Sequence, residues 1–282
     1  MVAAAPPEIS PHDRLPAYAP MLDALHRAQG PELRAFLDSL PIAAGDRVLD
    51  LACGDGAFTT WIAERAGPNG LAIGLDASQA YLDSAATRLD AEATERAALT
   101  LFARGDAAAL PFPDGSFDLG FCAHSLQSLP DPVAAVRELA RVIRPGGHLA
   151  ILENDELSHV ILPWPPEVDL AIDRGLALAA ARRHDSRPFV GRRLGKILGE
   201  LGLRLVRFDT ITVSRCGPLS PADREYFIRF LEHRRARVEP NLAGDERALA
   251  LAYLSPAGIR SLADDPGLTV AFVHVAAVAE KR

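Results

Sequence analysis

Between residues 46 and 153, five short aliphatic runs alternate with turns and segments of helical periodicity, and this alternation constrains the fold more than any other feature. The runs lie at 46–52, 71–75, 99–103, 118–123 and 148–153. Each is too short for a helix and is predominantly apolar, the mark of a buried strand. After the first run, Phe58, Trp61, Ile62 and Ala66 fall at helical spacing, and Gly67 closes that helix before the turn Pro68-Asn69-Gly70. Ser78 is placed to cap a helix running to about Ala91. The turn Pro113-Asp114-Gly115 precedes the fourth run. Asp131 and Pro132 then open a helix in cap and first-turn order. Its expected inner stripe is Val133, Val136, Ala140 and Ile143, and Pro145-Gly146-Gly147 stops it. Strand–helix–strand units of this length impose right-handed crossovers and a parallel sheet. Ligands of such sheets bind beyond the carboxyl ends of the strands.

The flanks are less regular. Residues 1–18 read as a proline-punctuated arm, and 19–40 as a helix interrupted at Pro31. Residues 155–190 hold Pro163-Trp164-Pro165-Pro166 and one helix, and 191–201 form another. Two further strands are expected at 203–213 and 269–279. Between them 220–238 reads as an amphipathic helix with Ser220 as cap, Pro221 in the first turn, and Phe227, Phe230 and Leu231 on its inner face. The expected fold class is therefore α/β: a doubly wound, mostly parallel, seven-stranded sheet. Residues 1–40 form an amino-terminal helical arm. Residues 41–282 form the main domain, with insertions at about 155–190 and 214–268 acting as a helical lid over the strand ends.

Thirty basic against 37 acidic residues leave a net charge of −7. That balance argues against nucleic acid as a partner, which requires clustered positive charge. Cys53, Cys122 and Cys216 are far apart in the chain, without disulfide or zinc spacing, so free thiols and no metal are expected. The first residues lack a basic segment followed by an apolar one, and no apolar run is long enough to span a membrane. The chain thus reads as soluble and cytoplasmic, and a homodimer is left open.

The chemistry lies in the loop after the first strand, Asp50-Leu51-Ala52-Cys53-Gly54-Asp55-Gly56. Glycines there let a backbone approach a nucleotide closely, and the following helix start offers free N–H groups. Asp76 ends the second strand, where a carboxylate can accept from both ribose hydroxyls. A nicotinamide dinucleotide fold would place a third glycine three residues after Gly56, where Thr59 stands. The carboxylate of Asp50 suits a cofactor carrying an ammonium and a sulfonium better than one carrying a pyrophosphate.

With these residues the sequence resembles the class I S-adenosylmethionine-dependent methyltransferases, in particular their type 11 or quinone-biosynthesis-like small-molecule group. The resemblance also rests on Gly105-Asp106-Ala107, Leu110-Pro111-Phe112, PDGSFD at 113–118, HSLQSLPDP at 124–132 and Arg144-Pro145-Gly146-Gly147-His148-Leu149. It implies S-adenosyl-L-methionine as cofactor and a small-molecule methyl acceptor as partner. By position, Asp50 and the backbone of Ala52, Cys53, Gly54 and Gly56 would hold the methionine part. Asp76 and Ala77 would meet the ribose, Asp106 and Ala107 the adenine, and Ala123 and His124 the methionine end and the transferable methyl. Ala52 stands where many members have glycine. Tyr18 of the arm would fold over the cofactor.

Structural roles compete with several of these. Asp50 and Asp76 could be loop caps, Asp106 could serve an ordinary turn, and His124 is either a general base or a packed wall. His159, His184 and Asp155 are base candidates by location alone and are expected at the surface. Arg182, Arg183, Arg187, Arg192 and Arg193 either line an acidic-substrate pocket or, the preferred reading, form a solvated helix face. His233, Arg234, Arg235 and Arg237 read as the polar side of their helix. Two rival functions stand beside methyl transfer: a methyltransferase-like ligand-binding protein without catalysis, and an NAD-dependent oxidoreductase, which Asp50 and Thr59 oppose.

Overall fold

The computed structural model describes residues 14–92, 97–182 and 187–282; Arg183 and His184 lie outside them. In chain order the elements are α1 (Ala19–Asp38), β1 (Arg47–Leu51), α2 (Ala57–Ala66), β2 (Leu71–Asp76), α3 (Gln79–Glu92) and β3 (Leu99–Arg104). Then come β4 (Phe117–Ala123), α4 (Pro132–Val142), β5 (Ile143–Asn154), β6 (Val160–Leu162), α5 (Pro166–Arg182) and α6 (Leu194–Glu200). β7 (Arg204–Cys216), α7 (Pro221–Val238), α8 (Gly244–Tyr253), α9 (Pro256–Ala263) and β8 (Thr269–Glu280) complete the chain.

The sheet runs β3-β2-β1-β4-β5-β8, with β7 on the far edge of β8. β1 to β5 are mutually parallel, and β8 is antiparallel to its neighbours. All seven expected strands are present. An eighth, β6, pairs Val160–Leu162 with residues 269–271 of β8, in line with β5 on the same edge. Three residues are too few to leave a periodic signal, and β8 alone supplies their ladder partners.

Alternation along the strands divides the core into two. Val48, Leu119, Phe121, Ala150, Leu152, Phe272 and Ala276 face α1, α2 and α7. Leu49, Leu51, Cys122, Ile151, Val275 and Ala277 face α4 and α6. By the same period of two, Asp50 and His274 belong to the first face and Glu153 to the second.

The helices show three departures from expectation. α1 continues through Pro31 without a break. Proline removes one hydrogen bond there, but Leu25, Ala28, Leu33, Phe36 and Leu37 are buried on both sides of it and hold the helix together. The buried face of α4 is Ala135, Val136, Leu139 and Val142 rather than Val133, Val136, Ala140 and Ile143, and Ile143 begins β5. Finally, Arg234 is not on a solvated face of α7. It is 4% exposed and bonds the Glu156 carbonyl and the Asp173 carboxylate at 3.1 Å each.

The caps form where the sequence places them. Asp131 accepts from Ala134 N–H, Ser220 from Asp223 N–H, and Ser78 Oγ from Tyr81 N–H. Among the described residues no helix is long and apolar enough to cross a membrane.

Candidate functional site

Asp50, the 52–56 loop, Asp76, Ala123 and His124 converge because β1, β2 and β4 are adjacent and parallel, so their carboxyl ends open on one edge. The loop leaves β1 through Ala52, whose φ is +55°, then turns through Gly54 at +54° and Gly56 at +74°. Cys53 N–H donates to Leu75 O and Gly56 N–H to Cys53 O, which fixes the turn. The two glycines serve different ends. A Cβ on Gly56 would stand 2.8 Å from Ala85 Cβ and 2.9 Å from the Phe102 ring, so packing demands glycine there. A Cβ on Gly54 would meet only Leu22 at 3.6 Å, so its backbone conformation is the main constraint.

Three carboxylates surround the loop. Asp50 is buried and accepts the Thr59 hydroxyl at 2.5 Å; burial pushes its carboxyl up to about 7, with the charges of Asp76 and Asp55 adding and the Thr59 bond opposing. Thr59 thus bonds the strand-end carboxylate from the position where a dinucleotide fold has glycine. Asp76 accepts from Gly54 N–H at 3.0 Å and from Ser78 N–H at 2.8 Å, joining the loop to the end of β2. Burial would raise the Asp55 carboxyl, but the His26 ring and Arg88 outweigh it and hold the group well below the usual range. Its contacts are to His26 at 3.3 Å and Arg88 at 2.8 Å. Asp55 is therefore paired within the protein, and Asp50 and Asp76 bring two further carboxyl groups to the loop.

The remaining expected residues are placed as follows. Gly105 N–H donates to Asp76 O, which brings the end of β3 to the site. Asp106 is exposed, and its carboxylate accepts from Ala108 N–H at 2.9 Å; Ala107 is half-buried beside it. The Ala77 carbonyl accepts from Arg104 Nε. Tyr18 stands beside the buried Tyr81 hydroxyl, whose proton is held more tightly by burial, Tyr18 and Asp76. Burial also pushes the Cys53 thiol up, so it is a packed thiol and not a nucleophile.

His124 follows β4 with φ +51°. Its N–H donates to Leu152 O at 2.7 Å, and its Nε2 lies 3.2 Å from His274 Nδ1. Burial, with His274 and His26 adding, holds its pKa well below the ordinary value, so the ring is neutral at pH 7.

Several site residues carried no sequence signal. Leu22 and His26 of α1 cover the loop, His26 packing edge-on against Phe58. The Ser125 hydroxyl lies 3.0 Å from Ala52 O and 2.8 Å from Ala123 O, stapling the β1 and β4 ends together. Glu153 is buried on β5, and its Oε1 accepts from Ser125 N–H at 3.0 Å and Leu126 N–H at 2.8 Å. Burial pushes its carboxyl up to about 8 against those two bonds.

Of the other base candidates, the two within the described residues, Asp155 and His159, make their contacts away from the loop and are not at the surface. Asp155 is buried and pairs with Arg192 at 2.9 Å; burial raises its carboxyl, but Arg192 and Ser158 bring it below the usual range. His159 is half-buried between the Phe230 and Phe272 rings. The described arginines of the 182–193 run do not line a common pocket. Arg182 bonds Pro240 O and Asn241, Arg187 reaches Leu129 O, and Arg192 holds Asp155.

With this geometry in view, comparison with known proteins is informative. Residues 49–151 match a methyltransferase domain family, from inside β1 to inside β5. This stretch of the chain is similar to a methyltransferase domain. Beyond the domain, the demethylmenaquinone methyltransferase of Lactobacillus johnsonii is 33% identical over 161 residues, covering 55% of this chain and 65% of the relative. The 2-phytyl-1,4-naphtoquinone methyltransferase of Synechococcus elongatus is 43% identical over 140 residues, covering 50% of this chain and 58% of the relative. The chain therefore spans less than two thirds of either relative's length. A SAM-dependent methyltransferase from Methanosarcina mazei shares the fold with a TM-score of 0.54 at 16% identity, covering 88% of this chain and 96% of that one. The matched segment holds the 50–56 loop, Asp76, Asp106 and His124.

Proposed function

We propose that the protein transfers a methyl group from S-adenosyl-L-methionine to a small-molecule acceptor. The observation that carries this reading is the set of carboxylates at the ends of β1 and β2. Asp50 and Asp76 bring two carboxyl groups to a loop with two left-handed glycines, and because burial pushes Asp50 up to about 7, a cationic ligand end beside it would favour its ionised form, while Asp55 already pairs with Arg88. That donor set fits a ligand with an ammonium and a sulfonium at one end and a ribose at the other. When bound, the cofactor supplies a methyl group made electrophilic by its sulfonium.

The residues of the chain then divide the work. Asp50 and the 52–56 backbone hold the amino-acid end, and Asp76 with Ala77 holds the ribose. Asp106 and Ala107 meet the adenine. Tyr18 and Leu22, at the start of α1, exclude water above the loop. Ala123 and His124 face the reacting end, and the insertions at 155–190 and 214–268 shape the acceptor side. Alignment and dryness account for most of what a methyltransferase supplies. Because both relatives named above are quinone methyltransferases, a fused-ring quinol is the first acceptor to test, and the product shows whether carbon or oxygen is methylated.

The experiment is calorimetric titration with S-adenosylhomocysteine, followed by turnover of a quinol and phenol panel read as S-adenosylhomocysteine release. Asp76→Ala is expected to weaken binding at least tenfold. Unchanged affinity in that variant overturns the site, and absence of binding to the parent protein overturns the function.

A further inference from the structure

A chain of polar side chains leads from the half-buried His124 at the end of β4 into the core. His124 Nε2 lies 3.2 Å from His274 Nδ1, and His274 Nε2 lies 2.7 Å from Gln29 Oε1. The three residues come from the end of β4, the middle of β8 and α1, and 245 positions separate Gln29 from His274. His274 is fully buried and Gln29 is 1% exposed. The far nitrogen of the chain, His124 Nδ1, is sealed from water and has no hydrogen-bond partner.

Proton bookkeeping along this chain has one solution for the amide orientation observed. Gln29 Oε1 can only accept, so His274 Nε2 carries a proton. A neutral His274 then presents a bare Nδ1, so His124 Nε2 must be the donor between the rings. A neutral His124 with its proton on Nε2 has its lone pair on Nδ1, the atom left without a partner. Both rings are neutral at pH 7: burial lowers His274 to about 4, and His124 is also held well below the ordinary value. The charged or titratable groups near the chain are His26 beside His124, Glu32 and His159 beside His274, and Tyr226 beside the Gln29 side chain.

The backbone points the same way. His124 sits in the left-handed region at φ +51°, where a bulky side chain is strained. The bond from its N–H to Leu152 O and the ring contact with His274, centroids 5.1 Å apart, hold it there. A buried lone pair without a partner and a strained backbone both cost stability.

We propose that His124 Nδ1 receives the proton of the methyl acceptor, and that His274 and Gln29 are positioning residues that keep its lone pair free. The inference rests on the methyl-transfer reading above. An acceptor O–H or N–H gives its proton to Nδ1, leaving imidazolium on His124. The electron pair left on the acceptor forms the new bond to the methyl carbon, and the pair of the broken carbon–sulfur bond returns to sulfur, removing its charge. His274 Nδ1 accepts from the His124 Nε2–H throughout and so keeps the ring in one orientation. The opposite orientation of the Gln29 amide would reverse every proton along the chain and make Nδ1 a donor, which one measurement distinguishes.

That measurement is ring-nitrogen NMR on the protein without donor or acceptor. His124 is expected as the Nε2–H tautomer in the parent protein, and as a mixture of tautomers in His274→Phe and Gln29→Leu. A protonated Nδ1 in the parent overturns the proposal. With S-adenosyl-L-methionine and 1,4-naphthoquinol, His274→Phe and Gln29→Leu are expected to lower kcat at least tenfold with the donor KM within about threefold. Gln29→Glu, which keeps an acceptor against His274, is expected to restore both the tautomer and most of kcat. Unchanged kcat in a folded His274→Phe overturns the proposal. S-adenosylhomocysteine titration of the same variants tests the methyl-donor reading separately, so the two failures are distinguishable.

Discussion

Ala52 is a non-glycine residue in a left-handed backbone at the turn that the site depends on, with φ +55°. That conformation costs an L-residue roughly 1–2 kcal/mol, and glycine would relieve it while losing part of the gain through its freer unfolded chain. Ala52→Gly is therefore expected to raise stability by up to about 1 kcal/mol in denaturant unfolding. Gly56→Ala runs the other way, because its Cβ would enter the space of Ala85 and Phe102; a loss of about 2–3 kcal/mol is expected. Glu153 gives the pH prediction. Its carboxyl titrates near 8 in the folded chain against 4.5 for an unfolded one, so the folded state binds the extra proton between those values. Stability from this group is complete below about pH 4.5 and is lost as pH rises through 8. The unfolding midpoint of the parent protein is expected to fall relative to Glu153→Gln as pH is raised from 5 to 8. A constant difference between the two would refute the assignment. Asp50 and Asp76 were legible in the sequence as carboxylates at the ends of two strands beside the glycine loop. The roles of Thr59, Ser125 and Glu153 were not, since each acts on a partner brought in by another element.

At the scale of elements, strands and caps were legible where the signal is local. The seven longer strands announce themselves as aliphatic runs, and Asp131, Ser220 and Ser78 cap from within four residues of the groups they bond. Elements whose state depends on neighbours were misread. α1 survives Pro31 because its flanking residues are buried, and α4 offers several apolar stripes of which packing selects one. Arg234 shows the same effect on α7. Its position in a run of basic residues suggests solvent, yet α5 packs against that turn and supplies Asp173. Arg234→Ala removes the guanidinium that bonds Asp173 and the Glu156 carbonyl; a loss of about 2–3 kcal/mol is expected in thermal or denaturant unfolding. Arg234→Lys is expected to recover only part of it, because one ammonium on a flexible stem cannot reproduce the planar fork.

For the molecule as a whole, α1 is part of the core and not an appendage. Leu25, Leu33, Phe36 and Leu37 are buried in the same cluster as Val48, Ile62 and Phe121. The helix is also tied across the fold by Arg27–Glu225, Arg215–Glu32 and Arg34–Glu64 ion pairs. A chain lacking residues 1–40 is expected to lose its cooperative unfolding transition and to bind an apolar dye, whereas a separable arm would leave the transition intact. Local residue order was enough for the parallel α/β sheet, the glycine loop at its carboxyl edge and the acidic residues that make the loop fit a cationic nucleoside. Those features are written in stretches of a few residues, where backbone propensity and strand-to-helix spacing act directly. The polar cluster at the end of β4 was decided only by folding. His124, His274 and Gln29 meet because β4 and β8 flank β5 and α1 lies across the same face. The physical reason is burial: away from water, a lone pair, an ionised carboxylate or a histidine proton takes its state from whatever the fold packs beside it, and no short stretch of sequence contains that neighbour.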